Sequence, residues 1–165
     1  MESSAKRFPA QLLEGRVAAA LREAGASQES LAAATKAMLH ASVAGIDSHG
    51  VRLTEHYCAM LVGGRLNRNP QLKVDIRAAG SAMVDGDDGL GHYAAYKALE
   101  VGIELARGAG VGAVGIAHSS HLGAAGAYAL AGAEQDPVLG HESPDHRAAQ
   151  ADQRQDADTE AQELG

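Results

Sequence analysis

The chain has few aromatic residues, little cysteine, no excess of basic charge and no long apolar run. One Phe, four Tyr and no Trp argue against base-stacking surfaces and aromatic cages. The single cysteine, Cys58, excludes an intramolecular disulfide framework and a Cys-rich zinc site. Asp and Glu number 21 against 14 Lys and Arg, a net charge of -7, so we expect no nucleic acid partner. No run approaches the about 18 apolar residues of a membrane span, so we expect no membrane partner.

The N-terminus, MESSAKRFPAQLLEG, lacks the apolar segment of a secretion signal, and we therefore expect a cytoplasmic protein. What the 165 residues do contain is 45% hydrophobic residues and 20 glycines, enough for a globular core with many turns. Residues 135–165 differ, because they are acidic, rich in Gln and poor in large apolar side chains. We expect this acidic tail to be disordered, with a partner-binding tail as the alternative.

The hydrophobic pattern predicts three helices, a β-hairpin and then strand–helix units, an α/β fold. The second helix has Ser27 as its expected N-cap, and residues 85–91 are predicted to form a loop. The fourth helix is expected to turn Ala95, Leu99, Ile103 and Ala106 inward. The predicted helices are 9–24, 28–44, 51–62, 92–107 and one starting near residue 124, and the predicted strands are half-buried 72–78, 81–85 and buried 111–117.

The sequence Gly110-Val-Gly112-Ala-Val-Gly115 matches the G-x-G-x-x-G letters of a dinucleotide-binding turn. A true fingerprint follows a strand and opens a helix, whereas this one follows a helix and lies within a predicted strand. We therefore reject a Rossmann site and expect these small residues to allow close packing of the strand.

Other site types are poorly supported. Asp85-Gly-Asp87-Asp88-Gly resembles a calcium loop but lacks the carboxylate at position 12, so turn chemistry is preferred. His118 and His121 have ligand-like spacing but too few companions for zinc, and we expect no metal. A hydrolase triad is not favoured either, because no G-x-S-x-G elbow is present.

The stretch D47-S-H-G-V-R52 is the strongest candidate site. His49 sits beside a glycine in a polar gap between two predicted helices, where an imidazole is accessible and titrates near neutral pH. Arg52 follows three residues later and can grip a carboxylate in bidentate fashion. This pair suits a small 2-oxo or 2-hydroxy acid, with the alternative that they are a loop His and a surface Arg.

Two long segments, DSHGVRLTEHYCAMLVGGRLNRNP and VDGDDGLGHYAAYKALEVGIELARGAGVGAVGIAHSSHLGAAGAYALAGAE, resemble the malate/L-lactate dehydrogenase family of the second type. That family includes ureidoglycolate, sulfolactate and diketogulonate-type oxidoreductases. The resemblance runs from about Leu12 to Glu134. It implies interconversion of a 2-hydroxy acid and its 2-oxo acid with NAD or NADP, on a non-Rossmann cofactor fold.

The resemblance also implies roles for individual residues. His49 matches the proton donor or acceptor, with Ser48 as its neighbour in a relay. Arg52 matches the residue that holds the substrate carboxylate. His121 lies in the active-site cleft of the family, as the catalytic base in some descriptions, and with Gly123 is expected to line the cofactor cleft.

Family members are much longer, and the resemblance ends where the sequence becomes acidic. We expect a truncation or frameshift after about residue 134, with a separately encoded partner chain as the alternative. The implied organisation is a helical and hairpin part of the substrate and dimerisation domain over 1–110 and the start of the NAD(P)-binding domain over 111–134. The relatives imply a homodimer. A non-catalytic interaction protein, or a dehydrogenase remnant with an acidic tail, is the competing hypothesis.

Overall fold

The computed structural model describes residues 8–135. Residues 8–130 belong to one structural unit, and 131–135, the end of the last helix, belong to a second. Apart from Gln135, the acidic tail that we predicted to be disordered lies outside the described residues. Among residues 8–135, no helix is long and apolar enough to cross a membrane.

The first two helices follow the predicted pattern. They are α1, Ala10–Glu23, and α2, Gln28–Val43. Gly25 has a φ of +90° after the end of α1, a left-handed conformation that glycine adopts without strain. The Ser27 side chain accepts a hydrogen bond from the Ser30 N–H at 3.2 Å, which confirms the predicted N-cap.

The third helix begins differently from the prediction. Two short 3₁₀ turns, Asp47–His49 and Val51–Leu53, precede α3, Thr54–Val62. The tight turns place the polar residues of the candidate site ahead of the α-helix. Tyr57 and Leu61 are completely buried and anchor α3 in a core that it shares with α1 and α2.

A three-stranded sheet follows, with the spatial order β1-β2-β3. Strand β1, Lys73–Ala78, is antiparallel to β2, Ser81–Gly89. Helix α4, Gly91–Ala109, then leads to β3, Ala113–Ser119, which is parallel to β2. Helix α5, Gly126–Gln135, comes last. The prediction of helices, hairpin and strand–helix units is confirmed.

The predicted burial of the two outer strands is wrong. Every residue of β1 is exposed, and β3 is half-buried only in its middle. The physical reason is coverage: α4 packs on β2 and β3, and among the described residues β1 and β3 form the sheet edges. Ala82 and Val84 of β2, which the alternation places on one side of the strand, are both buried.

The predicted inward face of α4 is only partly correct. Ala95 is buried, whereas Leu99, Ile103 and Ala106 are half-buried. The first half of α4 lies against α2 and the core, while its second half borders an open groove.

The predicted loop at residues 85–91 is also wrong in part, because β2 continues through residue 89. The strand is irregular here: Asp87 and Asp88 have φ values of 48° and 53°, and the pairing with β3 shifts register. The Asp87 carboxylate accepts hydrogen bonds from the Asn67 side chain at 2.8 Å and the Gln71 N–H at 2.9 Å. The expected turn chemistry is seen instead at Asp85, whose Oδ1 accepts a hydrogen bond from the Asp87 N–H at 2.9 Å, as in an Asx turn.

The glycines of the G-x-G-x-x-G sequence serve packing. Gly110, with a φ of +79°, ends α4. A Cβ on Gly112 would overlap the backbone carbonyl of Gly102, and one on Gly115 would overlap the sulfur of Met83. The predicted close packing of this strand is confirmed. Strand β3 shares a sheet with the hairpin. The domain division at residue 110 stays a prediction.

Candidate active site

The turn that carries His49 is fastened to α2. Ser42 Oγ, on α2, accepts a hydrogen bond from the Val51 N–H at 2.9 Å. A Cβ on Gly50 would overlap the same oxygen, so only glycine allows the chain to pass this close. The two constraints hold the 3₁₀ turns against the helix and leave His49 half-buried.

His49 has one polar partner and one ring neighbour. Ser48 Oγ lies 2.9 Å from its Nδ1, a hydrogen bond in which the hydroxyl donates when the ring proton is on Nε2. The ring of His121 lies 5.3 Å from that of His49, centroid to centroid, at an angle of 38°. Three predicted site residues from two distant segments are therefore brought together.

Hydrogen bonds fix the protonation pattern of His121. The Tyr57 hydroxyl lies 2.8 Å from His121 Nδ1, and the Gly123 N–H donates to the same atom at 3.4 Å. Burial raises the pKa of Tyr57 to about 12, so the phenol keeps its proton and donates. Neutral His121 thus carries its proton on Nε2.

The surroundings of His121 also favour its neutral form. Its pKa is lowered, first because protein atoms displace water from the ring and then because His49 and His56 are nearby. A proton on any of these imidazoles repels a second one. At neutral pH the cluster therefore offers His121 Nε2–H as a hydrogen-bond donor and His49 as an adjacent titratable group.

A second ring, the buried imidazole of His92, supports this arrangement by packing against Tyr57. His92, at the start of α4, packs edge-to-face on Tyr57 with ring centroids 4.9 Å apart. Burial lowers its pKa to about 4, and neither ring nitrogen has a hydrogen-bond partner among residues 8–135. A Cβ on Gly123 would lie 3.0 Å from His92 Nε2, and Gly123 has a φ of +80°. Two independent constraints therefore require glycine beside His121.

A cavity of about 480 Å³ opens in front of Tyr57 and His121. This volume is in the range of small-molecule sites. Its lining mixes imidazole, hydroxyl, guanidinium, carboxylate and apolar groups: His56, Tyr57, Met60, Arg65, Leu66, Asp88, Ser119, Ser120 and His121. Of the predicted site residues, only His121 lines it directly.

Arg52 lies in the second 3₁₀ turn and is exposed. Within the described part of the chain it forms no hydrogen bond or ion pair through its side chain. Its guanidinium is therefore available to an anion, and its predicted role in holding the substrate carboxylate stays a prediction.

The segment from His121 to α5 bears on the predicted cofactor cleft. The helical hydrogen bonds of α5 start with the Ala127 N–H, which donates to Ala124 O at 3.1 Å. The amides of Ala125 and Gly126 precede that bond, and the first turn carries no acidic side chain. Free amides at the start of a helix whose first turn lacks an acidic side chain suit an anionic group such as a pyrophosphate.

Sequence reasoning missed several residues of the site. The apolar pattern of α3 indicates Tyr57 only as a buried ring, and its hydroxyl gives no separate signal in the sequence. His92 and Arg65 lie in the two segments that carry the family resemblance, but no role was predicted for either. His118, weighed beside His121 as a metal ligand, instead pairs with Asp85 at 3.0 Å. Among residues 8–135, no group of three or more His, Cys, Asp or Glu is arranged to hold a metal ion.

Comparisons with known proteins agree on one family. A family model described as malate/L-lactate dehydrogenase matches residues 8–144. Malate dehydrogenase of Pyrococcus abyssi is 35% identical over 132 residues, which are 80% of this chain and 36% of that protein. L-sulfolactate dehydrogenase of Methanocaldococcus jannaschii is 31% identical over 118 residues, 72% of this chain and 34% of that protein.

The fold agrees as well. The solved structure of malate dehydrogenase from Pyrococcus horikoshii matches with a TM-score of 0.75 and 31% identity, covering 79% of this chain and 37% of that one. The chain thus spans little more than a third of the length of these relatives. The family match extends ten residues beyond Glu134, where we expected the resemblance to end.

Proposed function

Because this chain belongs to the malate/L-lactate dehydrogenase family, we propose that it binds a small 2-hydroxy or 2-oxo acid beside His49 and His121. The reaction proposed is the NAD- or NADP-dependent interconversion of the two acids. A homodimer, implied by the family resemblance, and a cytoplasmic location, expected from the N-terminal sequence, are part of the same proposal. Since the chain covers about a third of its relatives, we propose for it the substrate and proton-transfer part of the site.

The approach of His49 and His121 is the observation that carries this proposal. Their rings are 5.3 Å apart although 71 residues lie between them in the chain. Each ring is held by its own hydroxyl, Ser48 for His49 and Tyr57 for His121. Two oriented imidazoles, one of which lines a polar cavity, can bind a carbonyl or hydroxyl oxygen and move one proton.

The proposed roles follow from the hydrogen bonds. His49 exchanges a proton with the substrate oxygen, and Ser48 stabilises the ring through Nδ1. His121 donates from Nε2 to the same oxygen, because Tyr57 occupies its Nδ1. Arg52 holds the carboxylate, since its guanidinium is exposed and can pair with a carboxylate in bidentate fashion.

The nicotinamide cofactor, when bound, supplies or accepts the hydride. In this chain, Gly123 and the amides of Ala125 and Gly126 would hold an anionic part of it. A side chain at Gly123 would fill the space between that segment and His92. These backbone groups do not distinguish NAD from NADP.

Titration of the full chain with NADH or NADPH, followed by fluorescence, tests the proposal with and without a 2-oxo acid. We expect the acid to bind, and the His49→Ala and Arg52→Gln variants to bind it more weakly. Where turnover is measurable, His49→Ala should lower it by about 10²–10⁴-fold, the contribution of a general acid–base. Arg16→Gln removes an exposed guanidinium from α1 and is the matched control.

Absence of both cofactor and acid binding in the folded chain would contradict the proposal. It would favour the alternative of a non-catalytic interaction protein or a dehydrogenase remnant. Unchanged acid affinity and rate in His49→Ala, in a chain that does bind the acid, would remove that imidazole from the mechanism.

A further inference from the structure

Arg65 lies in the turn that follows α3 and is held there by the backbone. Gly64 has a φ of +72°, which reverses the chain. The N–H groups of Arg65 and Leu66 both donate to the carbonyl of Met60, at 3.0 and 3.2 Å. Leu66 is buried, so the Cα of Arg65 is fixed while its side chain is exposed.

The two arginines of this turn have different environments. Arg68 donates from Nε to Leu61 O at 3.0 Å and from a terminal nitrogen to Val62 O at 3.3 Å, and so caps α3. Arg65 makes no side-chain hydrogen bond or ion pair with any described residue. It lines the cavity of His121 and Tyr57 instead.

Arg65 is the one Lys or Arg among the described residues that line this cavity. Asp88 lines it too, on the irregular part of β2, without forming an ion pair with Arg65. A guanidinium that lacks a protein partner has its full set of N–H donors available for a bidentate acid group. The carboxylate of Asp88 opposes anions and limits how strongly a dianion can bind.

We propose that Arg65 binds a second acidic group of the substrate, at the end of the molecule distant from the 2-oxygen. The site would then prefer a 2-hydroxy or 2-oxo acid with a distal carboxylate or sulfonate over a lactate-type monoacid. This inference rests on the proposed function, because it takes the cavity beside His121 as the substrate site. It adds to the proposed function a second acidic group on the substrate and Arg65 as the residue that recognises that group.

Binding of L-malate and L-lactate to the full chain, measured by calorimetry, tests this assignment. We expect L-malate to bind more tightly. Arg65→Gln should weaken L-malate binding by about tenfold or more, the loss of a charge-assisted bidentate pair, and leave L-lactate within about twofold. Arg65→Lys should restore only part of the affinity, because it keeps the charge but loses the planar fork.

Two further variants complete the design. Asp88→Asn should tighten L-malate binding, since it removes the opposing charge and Asn tolerates a positive φ. Arg16→Gln, the matched loss of an exposed guanidinium, should change neither affinity. Circular dichroism of each variant verifies that it is folded.

The outcomes separate the two proposals. If the chain binds neither acid, the proposed function fails and this inference fails with it. If both acids bind but Arg65→Gln weakens them equally, or leaves L-malate unchanged, only the role of Arg65 is overturned. Tighter binding of L-lactate than of L-malate would overturn the preference for a dianion in the same way.

Discussion

The imidazoles of His49 and His56 are close enough to His121 to affect its protonation. His121 is neutralised by loss of water around its ring and by the nearby His49 and His56. Because like charges repel, a proton on His49 or His56 makes protonation of His121 more costly. His121 is therefore a weaker base than an isolated imidazole.

Replacing His56 tests this coupling. In His56→Gln the pKa of His121 should rise toward its ordinary value, because one repelling cation is removed. The imidazole C–H signals in an NMR pH titration report the change. His118→Gln is the control, since that imidazole pairs with Asp85 and does not contribute to the pKa of His121. An unchanged His121 titration in His56→Gln would contradict the coupling.

His92 gives the fold a dependence on acid pH. Its pKa is about 4 in the folded chain and about 6.5 in an unfolded one. As the pH falls from about 6.5 to 4, His92 binds a proton in the unfolded chain but stays neutral in the folded chain. The free energy of unfolding therefore falls across this window, by roughly 3 kcal/mol at about 1.4 kcal/mol per pH unit.

The His92→Leu variant removes this proton. Relative to the native chain, its free energy of unfolding should improve by roughly 3 kcal/mol between pH 7 and pH 4. Urea denaturation at both pH values measures the difference, and carboxylate effects cancel because both chains share them. A difference that is the same at both pH values would show that His92 is not protonated on unfolding.

At the scale of elements, the passage from α4 into β3 depends on glycines that touch backbone. A Cβ on Gly112 would overlap the Gly102 carbonyl, whereas nothing lies within 4 Å of one on Gly108. The carbonyl belongs to a helix and cannot rotate away. The helix and the strand are thus locked at a distance that only glycine allows.

The pair Gly112→Ala and Gly108→Ala tests this packing with the same chemical change. Gly112→Ala should destabilise the chain by about 1–3 kcal/mol through overpacking. Gly108→Ala, inside α4, should stabilise it by about 0.5–1 kcal/mol through helix propensity. Thermal or urea unfolding measures both. Equal effects of the two substitutions would contradict the packing argument.

The parts of the fold that depend on local sequence were predictable. Helix periodicity, the Ser27 cap and the glycines that end helices follow from neighbouring residues, and the structure has them. The burial of β1 and β3 was mispredicted because it depends on which elements cover a strand. The apolar pattern of a strand carries no information about that cover.

The candidate site shows the same division. Residue chemistry alone singles out the polar motif around His49 and the pair His118 and His121. Their meeting could not be predicted, because it requires β3 to lie parallel to β2 and the following loop to return to α3. The sequence pattern indicates Tyr57 only as a core residue, because its ring is buried and only its hydroxyl reaches the site.

At the scale of the whole molecule, an apolar groove of about 510 Å³ lies along α4, β3 and the start of α5. Leu99, Ile103 and Ala106, the residues expected to face inward, line it and are half-buried. Exposed apolar surface of this kind promotes association and binds apolar dyes. The groove is therefore the region of residues 8–130 where we expect self-association to begin.

Ile103→Lys places a charge in this groove and should lower both self-association and the fluorescence of a bound apolar dye. Val62→Lys is the matched control, because Val62 is 64% exposed at the end of α3 and lies outside the groove. Sedimentation velocity at several concentrations, with dye titration in parallel, measures both effects. If the two variants associate and bind dye alike, general surface charge governs association, and the groove has no special part in it.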